Sequence, residues 1–204
     1  LIISDVTGDD PTHIASGPTA PDPSTHSDAL AILSHYGISI PKAAQDALQH
    51  SINTETPKPG DPIFSRVDNQ IIANARSSLT AAEELLNASG IYTMLLGDTV
   101  TGETREVAKV YAALVKEICH QPEKWSLPLA LLSGGETTVT KKGNGRGGRN
   151  TEFLLSLAIE LKGIAHVYAL ACDTDGIDGS EDNAGAVITP DTLTRAQQIG
   201  IDAQ

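Results

Sequence analysis

Between residues 104 and 119, Val107, Val110, Tyr111, Leu114, Val115 and Ile118 recur at i, i+3, i+4, i+7, i+8 and i+11. That spacing predicts an amphipathic helix over Thr104–Cys119 with this stripe packed in the core. A helix is also predicted over Ser27–Tyr36, where Ala29, Leu30, Ile32 and Leu33 form the apolar face and Gly37 is the stop. Another begins near Pro41, a residue suited to a first turn, and runs to about His50. Asn74 can cap a helix over Ala75–Ser89 that ends at Gly90. Asn150–Lys162 reads as a helix ended by Gly163. A last one is opened by Thr189-Pro190, with Thr as cap, and ends at Gly200.

Short apolar runs between these helices predict strands. Leu1–Ser4 reads as the end of a buried strand, and Val167–Cys172 as a buried one. Strands are also expected at Gln70–Ala73, Ile91–Leu96, Leu129–Ser133 and Ala184–Ile188, with a polar β-stretch at Thr137–Thr140. Gly97–Glu103 is expected to be a loop. So is Ser51–Pro62, where Pro57, Pro59 and Pro62 forbid regular helix. Gln121–Leu127, with Pro122 and Pro128 at its edges, is the candidate domain boundary. Strands alternating with helices argue for an α/β fold with a largely parallel sheet.

Composition narrows the partners. The chain has 204 residues, enough for one domain or two small ones, and only 3 % aromatics, so small aliphatic residues must do the packing. Its formal net charge is −12, which argues against nucleic acid and acidic membranes as partners. No run approaches the ~18 apolar residues of a membrane span. Cys119 and Cys172 are far apart and outside any C-x-x-C pattern. They read as buried free thiols of a reducing compartment, and the expected location is cytoplasmic. The opening Leu-Ile-Ile-Ser-Asp reads as a strand end, so a fragment of a longer protein is expected.

Candidate chemistry concentrates in Ser133–Asn150, which holds six of the 18 glycines and four of the 14 Lys/Arg. Bare glycine backbone admits a close ligand, helix-start amides attract anions, and Arg adds a forked donor. An anion site is therefore expected, with phosphate as the first choice. Arg149 and Arg146 are its cations, and the amides of Gly134, Gly135, Gly147 and Gly148 its lining. Thr137, Asn150 and Ser16 are further phosphate- or substrate-binding candidates. Glu136 could orient an Arg, touch a metal, or make a structural hydrogen bond.

Gly143-x-Gly145-x-x-Gly148 also has the spacing of a dinucleotide fingerprint. The run before it, Thr137-Thr138-Val139-Thr140-Lys141-Lys142, lacks the buried apolar strand that fingerprint requires. The P-loop pattern is absent. Two carboxylate-rich turns follow strand ends: Asp5–Asp10, and Asp173-Thr174-Asp175-Gly176-Ile177-Asp178. Asp9, Asp10, Asp173 and Asp175 are candidate Mg²⁺ or substrate-hydroxyl ligands, a reading Asp178 shares with the latter two. The competing reading of these turns, Asp178 included, is turn formation and helix capping. Arg for an anion and carboxylates for a divalent cation are together the inventory of phosphoryl transfer.

Four stretches carry a family resemblance. They are Ser4-Asp5-Val6-x-Gly8-Asp9-Asp10-Pro11, Ile14-Ala15-Ser16-Gly17-Pro18-Thr19, Ser133-Gly134-Gly135-Glu136-Thr137-Thr138-Val139 and Gly145-Arg146-Gly147-Gly148-Arg149-Asn150. In this order they resemble the glycerate 2-kinases with a C-terminal MOFRL domain, members of which are often labelled hydroxypyruvate reductase. The resemblance implies a Rossmann-like parallel-sheet portion, residues 1–125 here, followed by a smaller MOFRL-type α/β domain, residues 126–204, incomplete at its C-terminus. It implies an active site in the interdomain cleft and ATP- and Mg²⁺-dependent phosphorylation of D-glycerate at its 2-hydroxyl. Arg149 corresponds to the family's functional arginine.

The family's N-terminal portion, with an important lysine and a Gly-rich loop, has no counterpart here, nor has its C-terminal Gly-Pro-Thr-Gly-Thr-Asn motif. The fragment alone is therefore expected to be inactive, with the missing N-terminal part of the polypeptide as its partner. Two alternatives stand beside the kinase: an NAD(P)H-dependent hydroxypyruvate reductase and a non-catalytic ligand-binding fragment.

Overall fold

The computed structural model describes residues 1–50 and 55–203, so the first part of the expected loop at 51–62 lies outside the described residues. The chain is a mixed α/β structure that divides into two compact units, 1–74 and 75–204.

The first unit contains β1 (Ile2–Ser4), α1 (His26–His35), α2 (Lys42–His50) and β2 (Ile71–Asn74). β1 and β2 run parallel, with Ile3 opposite Ala73, Ser4 opposite Asn74, and a register shift between Ile2 and Ile3. Only Ser4 of β1 is buried, and Ile3 is exposed, which corrects the expectation of a buried strand end. Thr25 caps α1 through a capping box with Asp28, satisfying donors the helix cannot satisfy itself. Asp61 does the same for a short 3-10 turn, Pro62–Arg66.

The second unit contains α3 (Ala75–Ala88), β3 (Tyr92–Leu95), β4 (Val100–Glu103), α4 (Thr104–His120), β5 (Leu129–Leu132) and β6 (Gly135–Thr138). It continues with α5 (Arg149–Leu161), β7 (Ala169–Cys172), β8 (Gly185–Ile188) and α6 (Thr192–Gln198). β3 pairs with β5 and β4 with β6, both parallel, while β7 and β8 are antiparallel. The two parallel pairs are one ladder interrupted. Leu96 NH donates to Leu132 O at 2.8 Å, Gly134 NH to Gly97 O at 2.8 Å, and Val100 NH to Gly134 O at 3.1 Å. Four residues, 96–99, thus stand opposite Ser133 and Gly134. The expected loop at Gly97–Glu103 is half strand, because β4 is made by its partner rather than by its own polar sequence.

The core lies between α4, α5 and β8: Ala108, Ala112, Leu154, Leu157, Ala158, Leu161 and Ile188 are buried. Tyr111 and Phe153 meet edge-to-face at 5.3 Å beside it. The α4 stripe is rotated from expectation. Thr104, Ala108 and Ala112 are its buried line and Tyr111 and Val115 flank it, whereas Val110 and Leu114 are exposed. Small residues bring α4 and α5 close, and larger ones on that line would hold them apart.

β7 is half-open rather than buried. Ala169 and Ala171 pack on the core, and Leu170 and Cys172 face outward, as antiparallel sheets allow. Both cysteines are free and exposed, so the expectation of buried thiols is corrected. The last helix begins at Thr192 with Asp191 before it, not at Thr189-Pro190. The Thr189 NH donates instead to Thr192 Oγ1 at 2.8 Å. No described helix is long and apolar enough to cross a membrane.

Candidate active site

Arg149 is the first residue of α5 and emerges from the Gly-rich loop. Its Nη1 donates to Glu136 Oε1 at 2.6 Å, and its Nη2 lies 3.9 Å from Asp173 Oδ2. Glu136 comes from β6 and Asp173 from the end of β7, so three elements converge on one guanidinium. Its side chain is 40 % exposed. The hydrogen bond to Glu136 raises its pKa, against partial burial, with the charges of Glu136, Asp173 and Asp178 adding to the rise. It is a permanently charged fork with one side still open to solvent.

Arg146 is placed differently. It is 77 % exposed and its Nε donates to Glu181 Oε1 at 2.7 Å. The two arginines are held by different carboxylates.

The amides expected to cradle an anion are engaged within the chain. Gly147 NH donates to Ser180 Oγ at 3.1 Å, and Gly148 NH to Thr151 Oγ1 at 3.0 Å. Asn150 NH donates to Asp178 Oδ1 at 2.9 Å and Thr151 NH to Asp178 Oδ2 at 2.8 Å. The start of α5 thus already holds a carboxylate, the anion that a helix N-terminus favours. Burial pushes the Asp178 carboxyl up, but hydrogen bonds from Asn150 and Thr151 overcome this and hold it below the usual carboxylate range.

Gly134 and Gly135 belong to the ladder. A Cβ on Gly135 (φ +142°) would lie 2.5 Å from Val100 N, with Val100 O nearer still, so only glycine lets β6 approach β4. Thr137 Oγ1 accepts from the buried Thr104 hydroxyl at 2.9 Å, which ties β6 to the start of α4.

Asp173 Oδ1 accepts the Asp175 NH at 3.0 Å, and Asp175 itself is exposed. In the first unit, Asp9 adopts φ +54° and accepts from Asn74 Nδ2 at 2.6 Å. Asp10 accepts from Thr12 NH at 2.9 Å and Thr12 Oγ1 at 2.7 Å, which lowers its pKa. Ser16 is exposed, in a left-handed conformation beside Ala15 and Gly17. Among the described residues no group of three His, Cys, Asp or Glu is close enough to hold a metal by itself.

The sequence pattern passed over Thr151, within α5, and Ser180 and Glu181, which hold the Gly-rich loop. Nothing in the spacing of Ser180 and Glu181 marks them, because they act from a segment 33 and 35 residues away from Gly147 and Arg146.

Known proteins bear on this arrangement. Residues 129–204 match the MOFRL family, and residues 1–49 match a domain of unknown function, DUF4147. An Agrobacterium vitis protein that carries the provisional name hydroxypyruvate reductase is 46 % identical over 204 residues, 99 % of this chain and 45 % of that protein. A D-glycerate 2-kinase of Thermotoga maritima is 38 % identical over 202 residues, 99 % of this chain and 46 % of the relative. The crystal structure of glycerate kinase from Thermotoga maritima superimposes with a TM-score of 0.81 at 37 % identity, covering 98 % of this chain and 47 % of that one. The chain spans about half the length of the curated relatives it matches.

Proposed function

We propose that the protein containing these residues is a glycerate 2-kinase, transferring a phosphoryl group from ATP to the 2-hydroxyl of D-glycerate. The products are 2-phosphoglycerate, ADP and a proton. The observation that carries this reading is the Arg149 fork, fixed by Glu136 at 2.6 Å yet 40 % exposed. Phosphoryl transfer needs positioning and charge neutralisation more than covalent help from the protein. A fixed guanidinium with an open side suits the transferring phosphate or the glycerate carboxylate. Arg146, more exposed, suits an outer role in attracting the anion.

Mg²⁺ would arrive with the nucleotide and neutralise charge on its phosphates. The described residues do not build a metal cage of their own. Asp173 and Asp175, or Asp9 and Asp10, fit as one or two carboxylates touching an ion already bound to phosphates, the form Mg²⁺ favours. Because the Gly147, Gly148 and Asn150 amides are engaged within the chain, an anion would be held by guanidinium rather than by backbone.

We further assign residues 1–125 to the Rossmann-like portion and 126–204 to the MOFRL-type domain, close to where the MOFRL match begins. The boundary between the two compact units falls earlier along the chain, after Asn74. ATP as donor and two free cysteines support a cytoplasmic location.

The name of the Agrobacterium vitis relative favours a second reading, NAD(P)H-dependent reduction of hydroxypyruvate. Against it, Gly143–Gly148 follows a mostly exposed strand through an irregular segment, not the tight strand-to-helix turn a dinucleotide requires. A coupled assay on the intact protein separates the two. Glycerate-dependent ADP formation is expected; NAD(P)H oxidation by hydroxypyruvate without ATP turnover overturns the kinase. The half-length match to the relatives leaves a non-catalytic fragment as the third reading for these 204 residues alone, tested by calorimetry with ATP-Mg²⁺.

A further inference from the structure

We infer that Asp178 is the positioning residue of this site: its carboxylate locks the first turn of α5 and thereby fixes where the Arg149 guanidinium stands. The inference rests on the kinase reading for what Arg149 does, but not for how it is held.

Asp178 is fully buried, in a turn otherwise open to solvent. Oδ1 accepts from Asn150 NH at 2.9 Å and from Asn150 Nδ2 at 3.2 Å, and Oδ2 accepts from Thr151 NH at 2.8 Å. These are the two residues directly after Arg149. An ionised carboxylate is the acceptor, so the bonds are of the stronger, charge-assisted kind.

The surrounding backbone is built around this contact. An added Cβ at Gly148 would collide with Asp178 Oδ1 and with the Asp178 backbone carbonyl. An added Cβ at Gly179 would lie 2.6 Å from Gly148 Cα, with Gly147 O closer. Only glycine at both positions lets the two segments meet. The Ser180 NH then donates to Gly147 O at 3.2 Å, and Ser180 Oγ receives the Gly147 NH at 3.1 Å. The Asp178 NH is itself fixed on Asn183 O at 2.7 Å, which anchors the lock near the start of β8.

Asp178 therefore touches no open face on which a substrate could bind. It acts through Arg149, and the segment that supplies it also supplies Asp173, the second carboxylate beside that guanidinium. Anion-binding Arg and flanking acid are kept in register by one buried side chain.

The test is a double-mutant cycle in the intact protein with Asp178→Asn, Arg149→Ala and both. Asp178→Asn keeps size and shape but turns an amino group toward an NH that needs an acceptor. Turnover of ATP with glycerate is expected to fall at least tenfold in Asp178→Asn, with no further loss when it is added to Arg149→Ala. A merely structural role would multiply the two losses instead, and that result overturns the inference. Wild-type turnover in Asp178→Asn overturns it equally.

A second measurement does not depend on activity. The Arg149 Nη1–H resonance, held on Glu136, is expected to be distinct and slow to exchange in the wild type, and to collapse toward free arginine in Asp178→Asn. Gly148→Ala, which pushes on the carboxylate from the other side, is expected to act in the same way. If that resonance is unchanged in both variants, the lock does not exist. If the wild type forms no ADP with glycerate, the kinase reading falls and the resonance still decides the positioning role.

Discussion

Arg149 Nη1 and Glu136 Oε1 stand 2.6 Å apart, joining the start of a helix to a strand that precedes it by an irregular loop. Glu136 is itself more than half exposed, so the pair is an orienting contact rather than a source of stability. Exposed pairs of this kind contribute about 0–1 kcal/mol. Glu136→Gln is therefore expected to leave the urea midpoint of unfolding almost unchanged. It also removes the carboxylate that competes with an incoming anion, so inhibition by inorganic phosphate should tighten. Arg149→Ala should abolish that inhibition and lower turnover by roughly 100-fold or more, on the order of 3 kcal/mol. Turnover unaffected by Arg149→Ala would remove the residue from the mechanism.

The glycines of the Gly-rich loop should not behave alike. Gly148→Ala drives a methyl group into Asp178 Oδ1 and the Asp178 backbone carbonyl. A loss of about 1–3 kcal/mol is expected, as for other overpacked sites. Gly145 has no neighbour within 4 Å of an added Cβ and does not need positive φ, so Gly145→Ala should be neutral or slightly stabilising. Chemical denaturation of the two variants side by side checks this.

Two adjacent leucines of α5 offer a test of the core. Leu154 is 1 % exposed and Leu155 is 48 % exposed. Leu154→Ala should cost about 2–5 kcal/mol, because α4 and β8 cannot close over the space left. Leu155→Ala should cost well under that. Equal losses would mean that α5 faces the other way.

Acid should unfold the chain only at low pH. Ser24 and Thr56 hydroxyls and the Ser24 NH hold the Asp22 carboxyl at about 2, against an ordinary 3.8. Asp28 and Asp178 are also lowered, Asp28 by its capping-box bonds to Thr25 and Asp178 by Asn150 and Thr151, whose bonds overcome its burial. A folded-state pKa below the unfolded one stabilises above the unfolded value, and the gain is lost as pH falls through the folded value. The urea midpoint should therefore be flat from about pH 7 to pH 5, then drop between about pH 4 and pH 2. Asp22→Asn should show a shallower drop over the same window.

Much of this structure was legible in the sequence where the signal is local. The helix at 149–161 was readable from its apolar run and Gly163, and α1 from its apolar positions and Gly37, although Ile32 of that face is exposed. The alternation of strand and helix was enough for the α/β class. Which face of α4 is buried was not. The bulkiest apolar stripe, Val107 to Ile118, suggested one side, yet Ala108 and Ala112 pack on α5 because close helix approach selects small residues. β4 was missed because a polar strand has no period of its own and exists by pairing with β6.

The candidate site divides the same way. The sequence by itself determined which groups are available: two arginines, a run of glycines and two aspartate-bearing turns, in a chain of net charge −12. Only the tertiary structure decided how they are used. It set Arg149 between Glu136 and Asp173, left Arg146 outside on Glu181, and filled the start of α5 with Asp178. The reason is physical. Residue type fixes what a group can donate or accept, but a buried carboxylate goes to whatever donors the fold brings within 3 Å of it, and no spacing along the chain records that distance.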